Sequence, residues 1–277
     1  MIVKVNGVHY NVNVVGKGEP LLFLHGFTGS LHNWDEIVDF MKNTFQCILL
    51  DIIGHGKTES PTDFQRYDIE MVAKDIDHIL GALGLSKVNL LGYSMGGRLA
   101  LAFSLNFQER VKKLILESSS PGLRTEDERN ARRISDEKLA NQIEQNGIES
   151  FVHYWENIPL FSSQNQLPVD KQLAIRVQRL SNNPLGIANS LRGMGTGSQP
   201  SYWDRLGELS APILLLCGEL DSKFCTLAEL MSKCFQNVRV EKINDAGHAI
   251  HVEQPIIFGK IVSEFVFDQN DVDQSTY

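Results

Sequence analysis

Long apolar runs are missing from this chain. Its uninterrupted apolar stretches, such as Ile213 to Cys217, fall far short of the ~20 residues that a membrane-spanning helix needs, so no membrane insertion is expected. The first residues, Met1-Ile-Val-Lys-Val-Asn-Gly7, lack the apolar centre of a secretory signal, and a cytoplasmic location is expected. Surplus positive charge is missing too. Lys and Arg total 26 against 34 Asp and Glu, a net charge of −8, and no Lys/Arg-rich run stands out. General nucleic-acid binding is thereby excluded. Cysteines are few and unpatterned. The four of them form no C-x-x-C, and no His/Cys spacing suits zinc, so neither a metal site nor a disulfide framework is expected. Cys47 and Cys217 lie within apolar runs, where a thiol packs as a small hydrophobe.

What is present is a globular mixture, 42% hydrophobic and 22% charged over 277 residues, enough chain to bury a large core. Two alternating runs, Ile2 to Val5 and Tyr10 to Val15, flank Asn6-Gly7 and predict a hairpin. Short apolar runs follow at Leu21 to Leu24, Cys47 to Leu50, Val88 to Leu91, Val111 to Leu116, Ile213 to Cys217 and Val238 to Ile243. Helical spacing separates most of them. One stripe joins Ile69, Val72, Ala73, Ile76, Ile79, Leu80 and Leu83. Strands alternating with helices predict an α/β fold with a mostly parallel sheet covered on both faces. The alternation lapses from about Pro121 to Tyr202, where charged, helix-favouring sequence is broken near Gly147, Pro159, Pro168, Pro184 and Gly193 to Gly197. We expect one discontinuous core, residues 1–120 and 205–267, a helical cap over 121–204, and a frayed polar tail at 268–277.

The chemistry concentrates in Gly92-Tyr-Ser-Met-Gly96, a G-x-S-x-G between an apolar strand and a helical run. Its glycines make room for a strained turn that lifts the hydroxyl of Ser94 out of the sheet, and the helix start offers backbone N–H groups beside it. A plain glycine-rich turn would need no serine there. The hydroxyl requires a base, and the base an orienting acid. His248 lies in Asn244-Asp-Ala-Gly-His248, directly after a strand, whereas His153 falls in the helical segment and His251 reads as packing or substrate contact. Asp221, in Gly218-Glu-Leu-Asp221, is the expected acid, with Glu219 and Asp245 as rivals and helix capping as its plainer role. His25-Gly-Phe-Thr-Gly29 suits an oxyanion loop in which the backbone N–H groups of Phe27 and Met95 aim at one point, His25 itself being structural. Asp51-Ile-Ile-Gly-His-Gly56 reads as a tight loop bordering the same site.

In that order, H-G-F, D-x-x-G-H-G, G-x-S-x-G, G-x-x-D and G-H resemble the α/β-hydrolase superfamily over about residues 20 to 265. A narrower set resembles the 2-succinyl-6-hydroxy-2,4-cyclohexadiene-1-carboxylate synthases of menaquinone biosynthesis. It comprises His25 to Ser30 with Trp34, Gly92 to Arg98, Ser120 to Leu123 with Glu128-Arg129, Ser181 to Pro184, and Asp221 to Phe224. Ile53 and Thr58 depart from that pattern, where Pro and Ser are frequent. The resemblance implies a lyase that eliminates pyruvate from a polycarboxylate without metal or organic cofactor, Ser94 acting as base. It singles out Arg129 as a substrate contact, and Arg98, one helical turn past Ser94, Lys223, two residues past Asp221, Trp155 as a pocket wall and Tyr93 are further expected contacts. Seven of the nine cationic residues in 121–204 are Arg, the residue suited to bidentate carboxylate capture. Two other readings share these residues: a serine ester or C–C bond hydrolase working through an acyl-enzyme, and a non-catalytic ligand binder, for which an intact triad would be superfluous.

Overall fold

The computed structural model describes residues 1–268, so all but the first residue of the tail expected at 268–277 lie outside the described residues. β1 (Ile2–Val5) and β2 (Val8–Val15) form the hairpin, with Asn6 and Gly7 at φ 48° and 82°. Two positive φ values are what a two-residue type I′ connection demands. β3 (Glu19–Leu24), β4 (Phe45–Leu50), β5 (Val88–Tyr93), β6 (Val111–Glu117), β7 (Ile213–Gly218) and β8 (Val238–Ile243) complete one sheet in the order β1-β2-β4-β3-β5-β6-β7-β8. From β4 across to β8 every pairing is parallel. The edge strand β8 carries Arg239, Glu241 and Lys242, charges that discourage pairing with another chain.

Helices cover both faces because successive strand residues point opposite ways. α1 (Asp35–Met41), α2 (Ile69–Ala82) and α3 (Met95–Asn106) lie along the first half of the chain. Leu22 and Leu24 of β3 pack with Val72, Ile76, Leu99 and Phe103 on one side, while Leu21 and Phe23 pack with Trp34, Ile37 and Met41 on the other. Each such fully buried side chain contributes roughly 1.5–3 kcal/mol. Between the neighbouring strands β6 and β7 the chain makes α4 (Glu126–Trp155), α5 (Val169–Leu180) and α6 (Pro184–Met194), joined by a 3-10 turn at Pro159–Gln166. The sequence breaks have local causes. Gly147 kinks α4 with φ 78° and ψ 174°, Pro168 caps α5, and Pro184 opens α6, where a missing N–H is harmless. These helices hold a small core of their own, built on Ala140, Ile143, Phe151, Val152, Ile187 and Leu191. After β7 come α7 (Ser222–Ser232), α8 (Ile250–Glu253) and α9 (Pro255–Phe267). Among the described residues no helix is long and apolar enough to cross a membrane.

Backbone strain is not spread evenly. Of the non-glycine residues with positive φ, Thr28, Ser94, Ser118 and Asp245 all sit in loops leaving the carboxyl ends of strands. Such positions cost of order 1–3 kcal/mol each and persist where the surroundings over-determine them. That edge of the sheet is where the site lies.

Candidate active site

Ser94 stands between β5 and α3 at φ 51° and ψ −108°. The turn is possible because glycines surround it. A Cβ on Gly96 would lie 2.2 Å from the carbonyl oxygen of Leu24, and one on Gly92 would lie 2.3 Å from that of Gly96. The Ser94 N–H donates to the Glu117 carbonyl at 2.8 Å, and the Ser119 hydroxyl donates to the Ser94 carbonyl at 3.1 Å, so the elbow is tied to β6 on its far side.

His248 reaches this hydroxyl from the loop after β8. Its Nε2 is 3.0 Å from Ser94 Oγ, and its Nδ1 is 2.7 Å from Asp221 Oδ2. The acid and base loops touch through backbone. A Cβ on Gly218 would come within 2.1 Å of the Gly247 carbonyl oxygen, and Leu220 N donates to Ala246 O at 2.9 Å. Asp221 also caps α7 through Oδ1 to Phe224 N at 3.3 Å, so capping and the contact with His248 use different oxygens of one carboxylate. Glu219 is exposed, and its carboxylate accepts from the Asp245 N–H, away from the imidazole. Asp245 is exposed as well, and His153 is 77% exposed on α4. The arrangement Asp221–His248–Ser94 can withdraw a proton from the hydroxyl and stabilise the imidazolium that results.

The loop after β3 is held by two buried histidines. The His25 Nδ1–H donates to the Gly26 carbonyl at 2.8 Å, while its Nε2 accepts the Ile52 N–H at 3.0 Å. Only one neutral tautomer satisfies both bonds. Burial pushes the pKa of His25 down and that of His55, 5.2 Å away ring to ring, down to about 3. The Gly26 carbonyl and the Phe27 N–H belong to one planar peptide unit, with O and H on opposite sides. Two donors on Gly26 O, His25 Nδ1 and Gly29 N at 3.0 Å, therefore fix where the Phe27 N–H points. Met95 is the first residue of α3, where a backbone N–H has no intrahelical acceptor.

Ser94 and His248 open into a cavity of about 410 Å³. Phe27, Tyr93, Met95, Arg98, Trp155 and Lys223, all expected at the site, line it together with Phe161 and Phe224. Trp155 stacks on Phe151 with ring centroids 5.6 Å apart and meets Phe27 edge-on at 5.3 Å, so it is both packing and wall. The Arg98 guanidinium donates to the Met194 carbonyl and the Gln199 side chain, and burial pulls its pKa down to about 10, still a cation at neutral pH. Asp221 stands behind His248, away from the lining.

Arg129 is the expectation that the structure does not bring to the cavity. Its guanidinium is occupied by Glu126, in an ion pair of 2.6 Å, and by the carbonyls of Leu123 and Arg124. Three residues further along α4, Arg132 lines the cavity instead. Its Nε donates to Asp136 Oδ1 at 2.7 Å, and Asp136 is buried, with its own pKa raised by that burial. The i,i+4 spacing of Arg132 and Asp136 was the available signal. Beside Phe161, Arg179 was also missed. It is buried, its guanidinium lies 4.7 Å over the Phe161 ring, and it donates to Gln164.

A strained serine on a strand-to-helix elbow, an acid and a histidine beyond the ends of β7 and β8, and a cavity over the sheet edge define the class. The alpha/beta hydrolase fold family matches residues 19–255. Within that class the chain is 49% identical over 263 residues to a Bacillus subtilis (strain 168) protein provisionally named 2-succinyl-6-hydroxy-2,4-cyclohexadiene-1-carboxylate synthase, covering 94% of this chain and 96% of that one. It is 32% identical over 239 residues to the 2-succinyl-6-hydroxy-2,4-cyclohexadiene-1-carboxylate synthase of Citrobacter koseri, covering 86% and 90%. The solved structure of MenH from S. aureus superposes with a TM-score of 0.89 at 37% identity, over 93% of this chain and 97% of that one. The chain belongs to the α/β-hydrolase superfamily and, within it, to the 2-succinyl-6-hydroxy-2,4-cyclohexadiene-1-carboxylate synthase family.

Proposed function

We propose that this protein eliminates pyruvate from 2-succinyl-5-enolpyruvyl-6-hydroxy-3-cyclohexene-1-carboxylate in menaquinone biosynthesis, with Ser94 as the base. The observation that carries this reading is a triad opening into a cavity that Arg98, Arg132 and Lys223 also line. Cations so placed suit a substrate with several carboxylates and are hard to justify for a neutral ester.

The two ring systems dictate the reaction. A ring double bond at position 3 in the substrate becomes double bonds at 2 and 4 in the product. A proton must therefore leave carbon 2 and the enolpyruvyl oxygen must leave carbon 5. Carbon 2 bears the succinyl ketone, so its C–H is acidic. Ser94 Oγ takes that proton as its own passes to His248 Nε2, and Asp221 stabilises the imidazolium. The ketone oxygen gains negative charge, which the N–H groups of Phe27 and Met95 stabilise. The electron pair then moves through the ring and expels the enolate of pyruvate, which takes up the proton held on His248 Nε2 and so restores the triad. Only protons pass between enzyme and substrate, and no acyl-enzyme forms. The helical insertion 121–204 acts as a cap, its Trp155 and Phe161 shielding the reacting atoms from water. The protein works as a cytoplasmic, cofactor-independent enzyme on a small polycarboxylate.

The direct test is pyruvate release from the enolpyruvyl-cyclohexene substrate, with p-nitrophenyl esters run in parallel. Pyruvate release that Ser94→Ala abolishes, without ester turnover of comparable efficiency, is the expected outcome. Ester hydrolysis through a trappable acyl-enzyme and no pyruvate would replace the lyase with a hydrolase.

A further inference from the structure

Behind the triad lies a second acid–imidazole pair that the reaction does not use. Glu117, the last residue of β6, and His251, within α8, are both fully buried. The Glu117 carboxylate lies 2.9 Å from His251 Nδ1 and accepts the His251 backbone N–H at 3.0 Å. The carbonyl of the same Glu117 accepts the Ser94 N–H at 2.8 Å. One residue thus grips both the elbow that carries Ser94 and the segment that carries His248, three positions before His251. The imidazole of His251 is boxed by aromatic rings. Trp34 lies 4.4 Å away, and Tyr93 meets it edge-on at 4.7 Å. Tyr93 in turn packs on His248 at 5.4 Å.

We infer that Glu117 and His251 are a positioning pair that sets the 3.0 Å contact between Ser94 and His248. A fold that needed only to fill this space would place apolar side chains there, since a buried ionisable pair is weak support for stability. The pair supplies direction instead. A carboxylate that accepts both a backbone N–H and a ring N–H fixes the rotation of His251 as well as its distance. Tyr93 then has one resting place, and so has the face of His248 against it. Both Glu117 oxygens lie 2.9 Å from His251 Nδ1. Glu117→Gln would keep one acceptor and set an NH₂ donor against Nδ1–H, so the imidazole must turn or move its proton to Nε2, which has no hydrogen-bond partner among the described residues.

The test reads the alignment of Ser94 without the proposed substrate, so its failure is separable from failure of the lyase reading. The probe is a small fluorophosphonate, and the measurement is the second-order rate of Ser94 phosphonylation in wild type, Glu117→Gln, His251→Gln and the double variant. Thermal midpoints are recorded beside each rate. We expect each single variant to slow phosphonylation at least tenfold, equivalent to about 1.4 kcal/mol, while retaining a cooperative thermal transition. The double variant should lose little more than either single one, because the two residues act as a unit. Glu117→Asp, which keeps the charge but retracts the carboxylate, should recover part of the rate. Rates within threefold of wild type in folded single variants would overturn the proposal. So would additive losses in the double variant. Loss of the thermal transition in every variant would overturn it too, by making the pair a requirement of folding.

Discussion

Replacing Arg132 should damage turnover, and replacing Arg129 should not, although the two lie three residues apart on one helix. Arg132 lines the cavity, and among the described residues only its Nε is committed, to Asp136. Its terminal nitrogens can meet a substrate carboxylate as a fork. The Arg132 side chain is 42% exposed, so solvent screens it and a charge-assisted hydrogen bond from it contributes about 1.5 kcal/mol, the low end of its range; Arg132→Ala should lower kcat/KM roughly tenfold. The stability cost should be smaller, because burial already favours the protonated form of Asp136, and the carboxyl can neutralise once its partner is gone. Arg132→Lys should recover part of the loss, keeping charge without the fork. Arg129→Ala removes an exposed pair with Glu126 and two carbonyl contacts, none of them in the cavity. It should stay within about threefold, or ~0.6 kcal/mol. Arg98 is the poorer probe, since its guanidinium also supports Met194 and Gln199, and its loss would mix binding with packing. The assay is pyruvate release under subsaturating substrate, with circular dichroism on each variant. An Arg129→Ala enzyme crippled while Arg132→Ala is near wild type would refute the assignment of cations drawn from the cavity.

Asp221→Asn should lower kcat far more than it raises KM, since the amide holds His248 in the wrong tautomer, an effect of ~10⁴ in the comparable serine-protease case. Glu219→Gln should be nearly silent, and a crippled Glu219→Gln beside a mild Asp221→Asn would reverse the choice of acid. A pH effect follows from His55, whose folded pKa is lowered to about 3 by burial. The unfolded chain binds this proton near pH 6.5 and the folded chain does not, so stability is lost as pH falls below about 6.5, by about 1.4 kcal/mol per unit. The stability gap between wild type and His55→Gln should therefore shrink by about 2 kcal/mol between pH 7 and pH 5, and a gap that stays constant in urea melts would mean that His55 does not carry the effect.

The parts legible in the sequence share one property: each was specified by neighbours along the chain. The hairpin at Asn6-Gly7, the strand runs, the helix stripe from Ile69 and the elbow around Ser94 all rest on a few consecutive residues whose backbone demands are local. Asp221 and His248 were legible because each follows a strand, and parallel strands deliver their carboxyl ends to one edge. The cations were less legible because a helix face is decided by tertiary packing. Arg129 and Arg132 differ by three positions, about 300° around the helix at 3.6 residues per turn, and a resemblance fixed on a dipeptide cannot say which of two arginines on neighbouring turns faces inward. The structure decides it through contacts distant in sequence. A Cβ on Gly197 would lie 2.6 Å from the Arg129 carbonyl oxygen and one on Gly195 2.6 Å from Asp136 Oδ2, closer than any side chain could sit, so the segment after α6 presses on this turn of α4 while Arg132 holds the buried Asp136. Glu117 and His251 show the same limit more sharply. They are 134 positions apart, and nothing beside either one marks it as half of a pair. Only closing the sheet brings β6 against the segment after β8, and a buried carboxylate there must find a donor or not be charged at all.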